Sequence, residues 1–430
     1  MNFDESVEYL YSLGNEVLAM KLGLENITKL LHALRDPQNK YFKVQVAGTN
    51  GKGSTCAFLE SICLAAGVRT GMTTSPHLNS VRERVRINGR NISEEDFARF
   101  ATRIRETSEE LVAGGELELV PTYFEQVTAI ALLAFAESRC ELVILETGLG
   151  GRFDATTAAR AEIAVITRID LDHQAILGNT LAEIATEKAA IIRADSTAVV
   201  VAPQKDEAAE VIDRVCIDKR VSAISGFSSD TLEFGYALGE EGKFRGSYKT
   251  AKASYPDVRL GLAGRHQIEN AGTAILTAEL LSEHFTISLA NIIAGLAKAQ
   301  HRGRLEFRGN VLFDGAHNAA GARALGTFLK EFIGPVTLVF GAMKDKDLSE
   351  MTAALFPFAE RLILTRSANE RSVEISELRK FAMENRFVIE TATVEKALDE
   401  AFDWAAPEDI ICVTGSLYLV GEAQKLLNNR

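Results

Sequence analysis

The residues best suited to chemistry lie in a glycine-bearing turn, Gly48-Thr49-Asn50-Gly51-Lys52-Gly53-Ser54. Glycines let successive backbone N–H groups turn toward one centre, Lys52 adds a full positive charge, and a hydroxyl at Ser54 or Thr55 can reach a metal ion. The spacing is irregular, because the two glycines are closer than in the usual G-x4-G-K pattern and Gly53 separates the lysine from the serine. We interpret the turn as a phosphate cradle, with an ordinary glycine-rich βα turn as the alternative.

Two further candidates follow apolar strand patterns. Glu146 ends the run Leu142–Glu146, where a carboxylate would face the crevice in which open α/β sheets bind ligands. It is a candidate Mg²⁺ ligand or water positioner, and the alternative is an acid that simply meets solvent. Asp172-His173 follows the strand candidate Ile163–Thr167, and a single histidine is more often structural than a ligand. Convergence of these groups beside the cradle would favour a site.

Other candidates lie further along the chain. Lys188 lies in a helical pattern among apolar neighbours, and its simplest interpretation is a surface lysine whose stem covers apolar residues. The loop Asp314-Gly315-Ala316-His317-Asn318 follows the strand candidate Val311–Phe313. Arg304 lies ten residues before Asp314 and could reach phosphates. Each of these signals is weak when it is taken alone.

The elements that must position these residues alternate between strand and helix. Before the turn, a helical pattern covers Glu5–Leu34 and a strand is predicted at Phe42–Ala47. A capping box at Thr180 and Glu183 starts a helix that is predicted to reach about Arg193. Residues 222–262 alternate and are rich in glycine, which predicts short antiparallel strands. The pattern before residue 298 therefore predicts a mostly parallel sheet with a small antiparallel sheet.

A regular βα rhythm follows in the C-terminal part. Strand starts are predicted near Val311, Val336, Arg361, Phe387 and Asp409, at intervals of 25, 25, 26 and 22 residues by subtraction. This spacing is typical of βαβ units and a mostly parallel sheet. We predict two α/β domains, residues 1–297 with the phosphate cradle and residues 298–430 with a Rossmann-like fold. Both have ordinary domain sizes.

Composition excludes several classes of function. The 430 residues carry 47 Lys and Arg against 59 Asp and Glu, a net charge of −12, so nucleic acid is not expected as a partner. The five cysteines contain no CxxC and are expected to be reduced, buried thiols. The N-terminus is acidic and no apolar run reaches membrane-spanning length. We expect a cytoplasmic monomer without a membrane partner.

Taken together, and in order along nearly the whole chain, these segments resemble the Mur ligase superfamily and, within it, the folylpolyglutamate synthase and dihydrofolate synthase family. The irregular spacing of the phosphate loop is the form found in that family. The segments that carry the resemblance are Thr49–Ser54, Ser75–Leu78, Pro121–Glu125, Glu146–Asp154, Asp172-His173, Glu187-Lys188, Gly264–Ala271, Asp314–Asn318 and Gly415–Gly421.

The resemblance implies a fold and an activity. The fold would be a P-loop-type Mur ligase ATPase domain followed by a Rossmann-like ligase domain on the glutamate-binding side. The activity would be ATP-dependent amide ligation, in which a folate carboxylate is phosphorylated and the acyl phosphate is attacked by L-glutamate. Dihydropteroate is a further acceptor in some members of the family.

The resemblance also implies roles for single residues. Those implied to bind ATP are Thr49, Asn50, Gly51, Lys52, Gly53, Ser54, Asn270, Arg304 and Asp314. Ser75, Glu146 and His173 would be Mg²⁺ ligands, and Lys188 would be carbamylated to hold a second Mg²⁺. Lys52, His173 and Lys188 would be catalytic, and His317 and Ser416 would lie where glutamate enters.

Two alternatives remain open on the sequence. A ligase that acts on a UDP-muramoyl carrier would use the same ATP chemistry. Because the cradle begins only 47 residues into the chain, we expect no separate UDP-binding domain before it. A nucleotide-dependent switch or partner-binding ATPase belongs to another class. The loop 314–318 in a second domain argues against it, because that loop suits a further substrate.

Overall fold

The computed structural model describes residues 1–14, 23–235, 238–382, 387–406 and 408–428. By backbone contacts the chain divides into two compact units. The first comprises Met1–Ser228, Lys249–Tyr255 and Glu269–Ala299, and the second comprises Ser229–Tyr248, Pro256–Ile268 and Gln300–Arg430. The domain ranges 1–297 and 298–430 stay a prediction.

The first unit is built on a sheet of short strands, which are buried in the middle of the sheet and more exposed at its edges. These strands are β1 (Phe42–Ala47), β2 (Thr70–Thr73), β3 (Arg86–Ile87), β4 (Arg90–Asn91), β5 (Leu142–Glu146), β6 (Ile163–Ile166), β7 (Ala198–Val201) and β8 (Ala223–Ile224). Within the described residues their order is β4-β3-β2-β5-β1-β6-β7-β8. In this spatial order, all neighbouring strands from β2 through β5, β1, β6 and β7 to β8 are parallel. Strands β3 and β4 add an antiparallel edge.

Register places the functional loops side by side. Val46 of β1 pairs with Glu146 of β5 on one side and with Val165 of β6 on the other. The loops that follow these three strands therefore leave the same edge of the sheet, because carboxyl ends of parallel strands meet there.

Helices cover both faces of this sheet. They are α1 (Phe3–Ser12), α2 (Glu25–Ala33), α3 (Lys52–Ala65), α4 (Glu94–Ala113), α5 (Tyr123–Glu137), α6 (Gln174–Leu177), α7 (Leu181–Ala189), α8 (Asp206–Lys219), α9 (His266–Leu281) and α10 (Leu289–Lys298). One core lies among α1, α2, α4, α5 and the sheet, and another lies under α7 and α8. Helix α9 spans the division between the units.

Two of the predicted helices differ in their bounds. The pattern over Glu5–Leu34 corresponds to α1 and α2, and its residues 15–22 lie outside the described residues. Helix α7 has the predicted capping box at Thr180 but ends at Ala189 instead of about Arg193. Ile192 N donates to Ala189 O in a tightened last turn, and the Ile192 side chain is buried in the core under α7.

Three strands form a separate small sheet in the predicted region 222–262. They are β9 (Ser228–Phe234), β10 (Lys243–Lys249) and β11 (Ser254–Arg259), in the order β11-β10-β9. Most of their residues group with the second unit.

The second unit has its own sheet with the predicted rhythm. Its strands are β12 (Glu306–Arg308), β13 (Val311–Asp314), β14 (Val336–Phe340), β15 (Ala359–Leu364), β16 (Val388–Glu390) and β17 (Ile411–Thr414). Its helices are α11 (Ala319–Phe328), α12 (Leu348–Leu355), α13 (Ile375–Arg379), α14 (Val394–Trp404) and α15 (Leu417–Asn428).

The strand order in this sheet is β12-β13-β17-β14-β15-β16, and among the described residues only β12 runs antiparallel to its neighbour. Asp314 pairs with Thr414, so the loops that follow β13 and β17 are neighbours. The predicted parallel sheets of both parts of the chain are confirmed.

All five cysteines are free and buried, as predicted. In the described part of the chain, no helix combines the length and the apolar character needed to cross a bilayer.

Candidate functional site

The turn after β1 has the geometry of an anion cradle. Gly51 has φ +87°, a left-handed conformation that favours glycine, and α3 begins at the next residue, Lys52. A Cβ on Gly51 would lie 2.3 Å from Asn270 Oδ1, so a side chain there would collide with α9. The structure therefore brings Asn270, which lies far away in sequence, against the turn. Free N–H groups at the start of α3 favour a bound anion.

The cradle is fixed to the segment that follows β6. The backbone N–H groups of Thr49 and Asn50 both donate to Arg168 O, at 3.0 and 3.2 Å. Thr49 Oγ1 donates to Asp170 O and accepts from Asp170 N, at 2.9 and 3.0 Å. These bonds hold the turn in place before any ligand binds, which reduces the entropy lost on binding.

Two lysines converge on one carbonyl of the cradle. Lys52 Nζ donates to Gly48 O at 3.0 Å and to Thr49 O at 3.2 Å, and Lys188 Nζ donates to Gly48 O at 2.9 Å. Lys188 is only 4% exposed, so its interpretation as a surface lysine is wrong. Burial, with the charge of Lys52 as a second cause, lowers the pKa of Lys188 to about 7, against the opposing effect of Asp172. Near neutral pH a large fraction of this amine is neutral and nucleophilic.

Ser75 and Glu146 lie together at the same sheet edge. Ser75 N donates to Glu146 Oε2 at 3.3 Å, and the Glu146 side chain is buried. The alternative that Glu146 simply meets solvent is therefore wrong. Ser75 Oγ is buried and makes no hydrogen bond to the described residues. A hydroxyl oxygen beside a carboxylate suits Mg²⁺, which prefers oxygen ligands and keeps several waters or phosphate oxygens of its own.

The described residues that could bind a cation here do not form a cluster of histidines, cysteines and carboxylates. Across the described ranges, no group of three or more His, Cys, Asp and Glu side chains has metal-holding geometry. A cation at this place would thus be held by the Ser75 hydroxyl, the Glu146 carboxylate, and oxygens of water or phosphate.

His173 lies beyond β6, at the start of α6. Its φ of +50° is left-handed, and its backbone N–H donates to Asp172 Oδ1 at 2.9 Å. His173 Nε2 lies 3.9 Å from Asp172 Oδ2. The segment that carries Asp170 against the cradle thus also presents Asp172 and His173.

A buried carboxylate organises the loop after β5. Asp154 Oδ2 accepts from the N–H groups of Gly148 and Leu149, each at 2.9 Å, and Oδ1 accepts from the N–H and hydroxyl of Thr156. Burial raises the pKa of Asp154 although these donors oppose the rise. Gln45 braces the same loop, because its Nε2, with two N–H groups, lies within hydrogen-bond distance of three threonine hydroxyls, those of Thr147, Thr156 and Thr157.

The sequence motifs assign no role to Asp154 or Gln45. The Asp-x-Thr spacing at residues 154–156 is typical of a side chain that bonds to backbone two residues on, and it could have identified Asp154. No signal marks Gln45, because its partners lie about a hundred residues away along the chain.

In the second unit, three of the predicted residues surround Gly315. Arg304 Nη1 donates to Gly315 O at 3.0 Å, and His317 Nδ1 lies 2.8 Å from the same oxygen. Asp314 accepts from the N–H groups of Leu305 and Ala316, each at 2.9 Å. Burial raises the pKa of Asp314, and Arg304 opposes that rise.

Ser416 lies just before α15, and its hydroxyl accepts from Leu419 N at 3.1 Å. That contact is a helix N-cap bond, and Ser416 is buried. A Cβ on Gly315 would lie 2.3 Å from Leu417 Cδ2, so the group around Gly315 adjoins the start of α15. The roles assigned to individual site residues stay predictions.

Comparison with known proteins identifies the family. The model of the Mur ligase middle domain matches residues 46–278, and that of the Mur ligase glutamate ligase domain matches residues 303–417. A Bacillus subtilis dihydrofolate synthase/folylpolyglutamate synthase is 34% identical over 434 residues, which cover 96% of this chain and 97% of that protein.

A Haloferax volcanii protein, a probable bifunctional folylpolyglutamate synthase/dihydropteroate synthase, is 36% identical over 433 residues. The match covers 99% of this chain and 50% of that protein, so the chain spans about half the length of this relative.

Solved structures agree over the whole chain. Mycobacterium tuberculosis folylpolyglutamate synthase, complexed with ADP and AMPPCP, has a TM-score of 0.88 at 29% identity and covers 100% of this chain and 99% of its own. An Escherichia coli protein in complex with DHPP and ADP has a TM-score of 0.87 at 30% identity, with 100% and 98% covered. The resemblance and the fold class predicted from the sequence are confirmed. The chain belongs to the folylpolyglutamate synthase/dihydrofolate synthase family of Mur ligases, which are ATP-dependent, amide-forming ligases.

Proposed function

We propose that this protein joins L-glutamate to folate in an ATP-dependent reaction that passes through an acyl phosphate. The observation that supports this most is the convergence of Lys52 and Lys188 on the Gly48 carbonyl of a preformed glycine turn. Attachment of glutamate to dihydropteroate is the second candidate, because relatives are named dihydrofolate synthase and one is solved with DHPP. The protein would act as a cytoplasmic monomer.

The cradle would hold the β- and γ-phosphates of ATP. The N–H groups at the start of α3 supply fixed positive ends of dipoles, and Lys52 supplies a mobile cation. The N–H groups of Thr49 and Asn50 are already bonded to Arg168 O and hold the turn in place. We expect Lys52 to leave its two loop carbonyls when phosphates arrive, because a charged acceptor binds an ammonium more strongly than a neutral carbonyl. Residues 49–54 and Asn270 would form the ATP contacts of the first unit.

Ser75, Glu146 and His173 would hold Mg²⁺. Bound Mg²⁺ would neutralise charge on the phosphates and orient the transferred phosphoryl group. The buried Ser75 hydroxyl without a hydrogen-bond partner in the described residues supports this assignment.

We assign Lys188 to carbamylation. Its neutral amine nitrogen would attack the carbon of CO₂, so that a new N–C bond forms while one C–O π bond of CO₂ opens. One proton would leave to solvent, and the neutral amine would become a carbamate carboxylate. The low pKa of Lys188 supplies the neutral amine that this addition needs. The product would face Lys52 as an opposite charge, and it could contribute to a second Mg²⁺ site.

The remaining residues of the prediction belong to the second unit. Arg304 and Asp314 would contact ATP, and His317 and Ser416 would serve glutamate. Their grouping around Gly315 and the start of α15 supports a common site for these residues within that unit.

An ADP-release assay tests the proposal. Dihydropteroate and tetrahydrofolate are each supplied with and without L-glutamate, and we expect ADP release to require both an acid acceptor and glutamate. Lys52→Ala should abolish release, whereas Lys298→Ala, on the exposed last turn of α10, should not change it. ADP release without glutamate would favour a switch ATPase, and use of a UDP-muramoyl acceptor would favour the other Mur ligase branch.

Rescue tests the modified lysine. Lys188→Ala should lose activity, and short carboxylates such as acetate should restore part of it by replacing the carbamate. A folded Lys188→Ala variant that no carboxylate rescues would count against the modification. Mass spectrometry of the intact protein in bicarbonate provides an independent readout.

A further inference from the structure

A cavity lies in the first unit away from the cradle, and we call it the second cavity. Its volume is about 640 Å³, within the range of small-molecule sites. Arg160 precedes β6, and Arg193 and Asp195 precede β7, so these lining residues lie at the amino ends of strands. The cradle follows the carboxyl end of β1, which is parallel to β6. These three residues therefore lie toward the opposite edge of the same sheet, whereas the lining residue Arg152 belongs to the loop that follows β5.

The cavity is positively charged in an acidic protein. Its lining includes four cations, Arg152, Arg160, Arg193 and Lys219, and one carboxylate, Asp195. Arg160 and Arg193 share Asp195, and Arg193 Nε lies 2.8 Å from Asp195 Oδ1. A single carboxylate thus neutralises only one of these two guanidinium groups.

The two other cations add to this surplus. Arg152 pairs with Glu187 at 2.9 Å, and Lys219 makes no ion pair or hydrogen bond with the described residues. Counting Glu187, four positive charges meet two negative ones, while the whole chain has twelve more negative than positive charges. The local balance is therefore opposite in sign to that of the protein.

The cavity also has apolar walls. Ile192 and Val215 line it, and Val215 and Lys219 lie on one face of α8, four residues apart. Guanidinium groups match planar carboxylates and phosphates, whereas apolar walls favour a ligand with a carbon body. An inorganic anion would leave these walls without a partner.

We propose that this cavity binds an organic polyanion that carries at least two acidic groups and an apolar or aromatic body. A pteroyl-polyglutamate has this chemistry, and choosing it as the occupant rests on the proposed function. The class of ligand rests only on the cavity's charge and shape.

Helix α7 connects this cavity with the cradle. Thr186 and Ala190 line the cavity, while Lys188 between them directs its amine to Gly48 O. One helix thus faces the cavity with one side and the cradle with the other. Occupancy must therefore be measured separately from turnover.

A reporter in the cavity provides that separate measurement. Ala194 is exposed and lines the cavity, and all five native cysteines are buried, so Ala194→Cys offers one accessible thiol for an environment-sensitive fluorophore. The labelled full-length protein is titrated with pteroyl-tri-γ-glutamate, tri-γ-glutamate, ADP and pyrophosphate. We expect a saturable response that is tightest for pteroyl-tri-γ-glutamate, and ADP tests a nucleotide as the source of the same chemistry.

Two matched charge reversals show whether an effect comes from the cavity or only from changing a lysine at the end of a helix. Lys219 lies in the last turn of α8 and Lys298 in the last turn of α10, where either lysine favours the helix dipole. Lys219→Glu should weaken binding to the labelled cavity by about tenfold or more, since it removes one attractive charge and adds a repulsive one. Lys298→Glu should leave binding unchanged, and both variants should keep wild-type turnover in the ADP-release assay.

Several results would overturn the proposal. They are a signal that does not saturate with any organic anion, equal binding in Lys219→Glu and wild type, or pyrophosphate binding as tightly as the organic ligands. Loss of turnover in the proposed reaction with normal cavity binding would contradict the proposed function alone. Tighter binding of ADP than of the pteroyl probe would keep the class of ligand and replace the occupant.

Discussion

Lys188 should destabilise the fold at neutral pH, and this can be tested without any substrate. Burial lowers its pKa from 10.5 to about 7. That difference corresponds to about 5 kcal/mol in the free energy of unfolding, at 1.36 kcal/mol per pH unit. We choose Lys188→Met as the perturbation, because methionine keeps an unbranched apolar chain and removes the titrating amine.

The direction of the pH dependence follows from proton binding. Between pH 7 and 10.5 the unfolded chain keeps the proton that the folded chain has released, so the free energy of unfolding rises with pH in this window. From pH 7 to pH 9 the gain from Lys188 alone should be about 2 kcal/mol. Lys188→Met lacks this term. The stability advantage of Lys188→Met over wild type should therefore shrink by about 2 kcal/mol from pH 7 to pH 9.

Urea unfolding followed by circular dichroism at several pH values measures this difference. Buffers are kept free of bicarbonate, because carbamylation would remove the titrating amine. The hydrogen bond from Lys188 to Gly48 O, about 1 kcal/mol, is lost equally at each pH and does not alter the slope. Lys298→Met, on an exposed position, should run parallel to wild type. Parallel curves for Lys188→Met and wild type would refute the reasoning.

Three other predictions concern the same sheet edge. Gly48→Ala should destabilise the protein by about 1–3 kcal/mol in urea unfolding, since its Cβ would lie 1.9 Å from Thr167 Oγ1 in a buried position. Asp154→Asn should destabilise the protein by about 3 kcal/mol, because either orientation of the amide places its NH₂ group against two hydrogen-bond donors. A stability equal to wild type would contradict this hydrogen-bond assignment. Ser75→Ala should raise the Mg²⁺ concentration needed for half-maximal ADP release. The melting temperature should not change, because the hydroxyl that is removed has no hydrogen-bond partner in the described structure. An unchanged Mg²⁺ requirement would exclude Ser75 as a ligand.

The sequence predicts local features of this fold well. The capping box at Thr180 and the turn at residues 48–54 depend on neighbouring residues, so their pattern is visible in the chain itself. Strand starts in the C-terminal part fall within two residues of the structure. The signal is clearest for β13, β14 and β17, which are runs of four or five residues buried along their whole length. The predicted end of α7 near Arg193 was wrong, because the helix ends at Ala189 and Ile192 packs in the core beyond that end.

Contacts between residues far apart in the chain could not be predicted from the sequence pattern. The amine of Lys188 lies in a helix that looks amphipathic, yet it bonds to a carbonyl 140 residues earlier. Nothing in its neighbours distinguishes a buried lysine from one that reaches solvent, since both have an apolar stem. Only the resemblance to a family indicated a site role for Lys188, and the structure adds the physical reason that its amine can be neutral.

The charge of −12 acquires a different meaning once the local cationic groups are located. ATP, folate and glutamate are all anions, so an acidic protein cannot attract them through its overall field. At physiological ionic strength charges are screened beyond about 8 Å, and only nearby groups act on a bound anion. Lys52 with the cradle amides, Arg304 at Gly315 and the four cations of the second cavity are such groups. Added salt should therefore weaken binding at the exposed second cavity more than at the partly buried cradle, because partly buried charges are screened less than exposed ones.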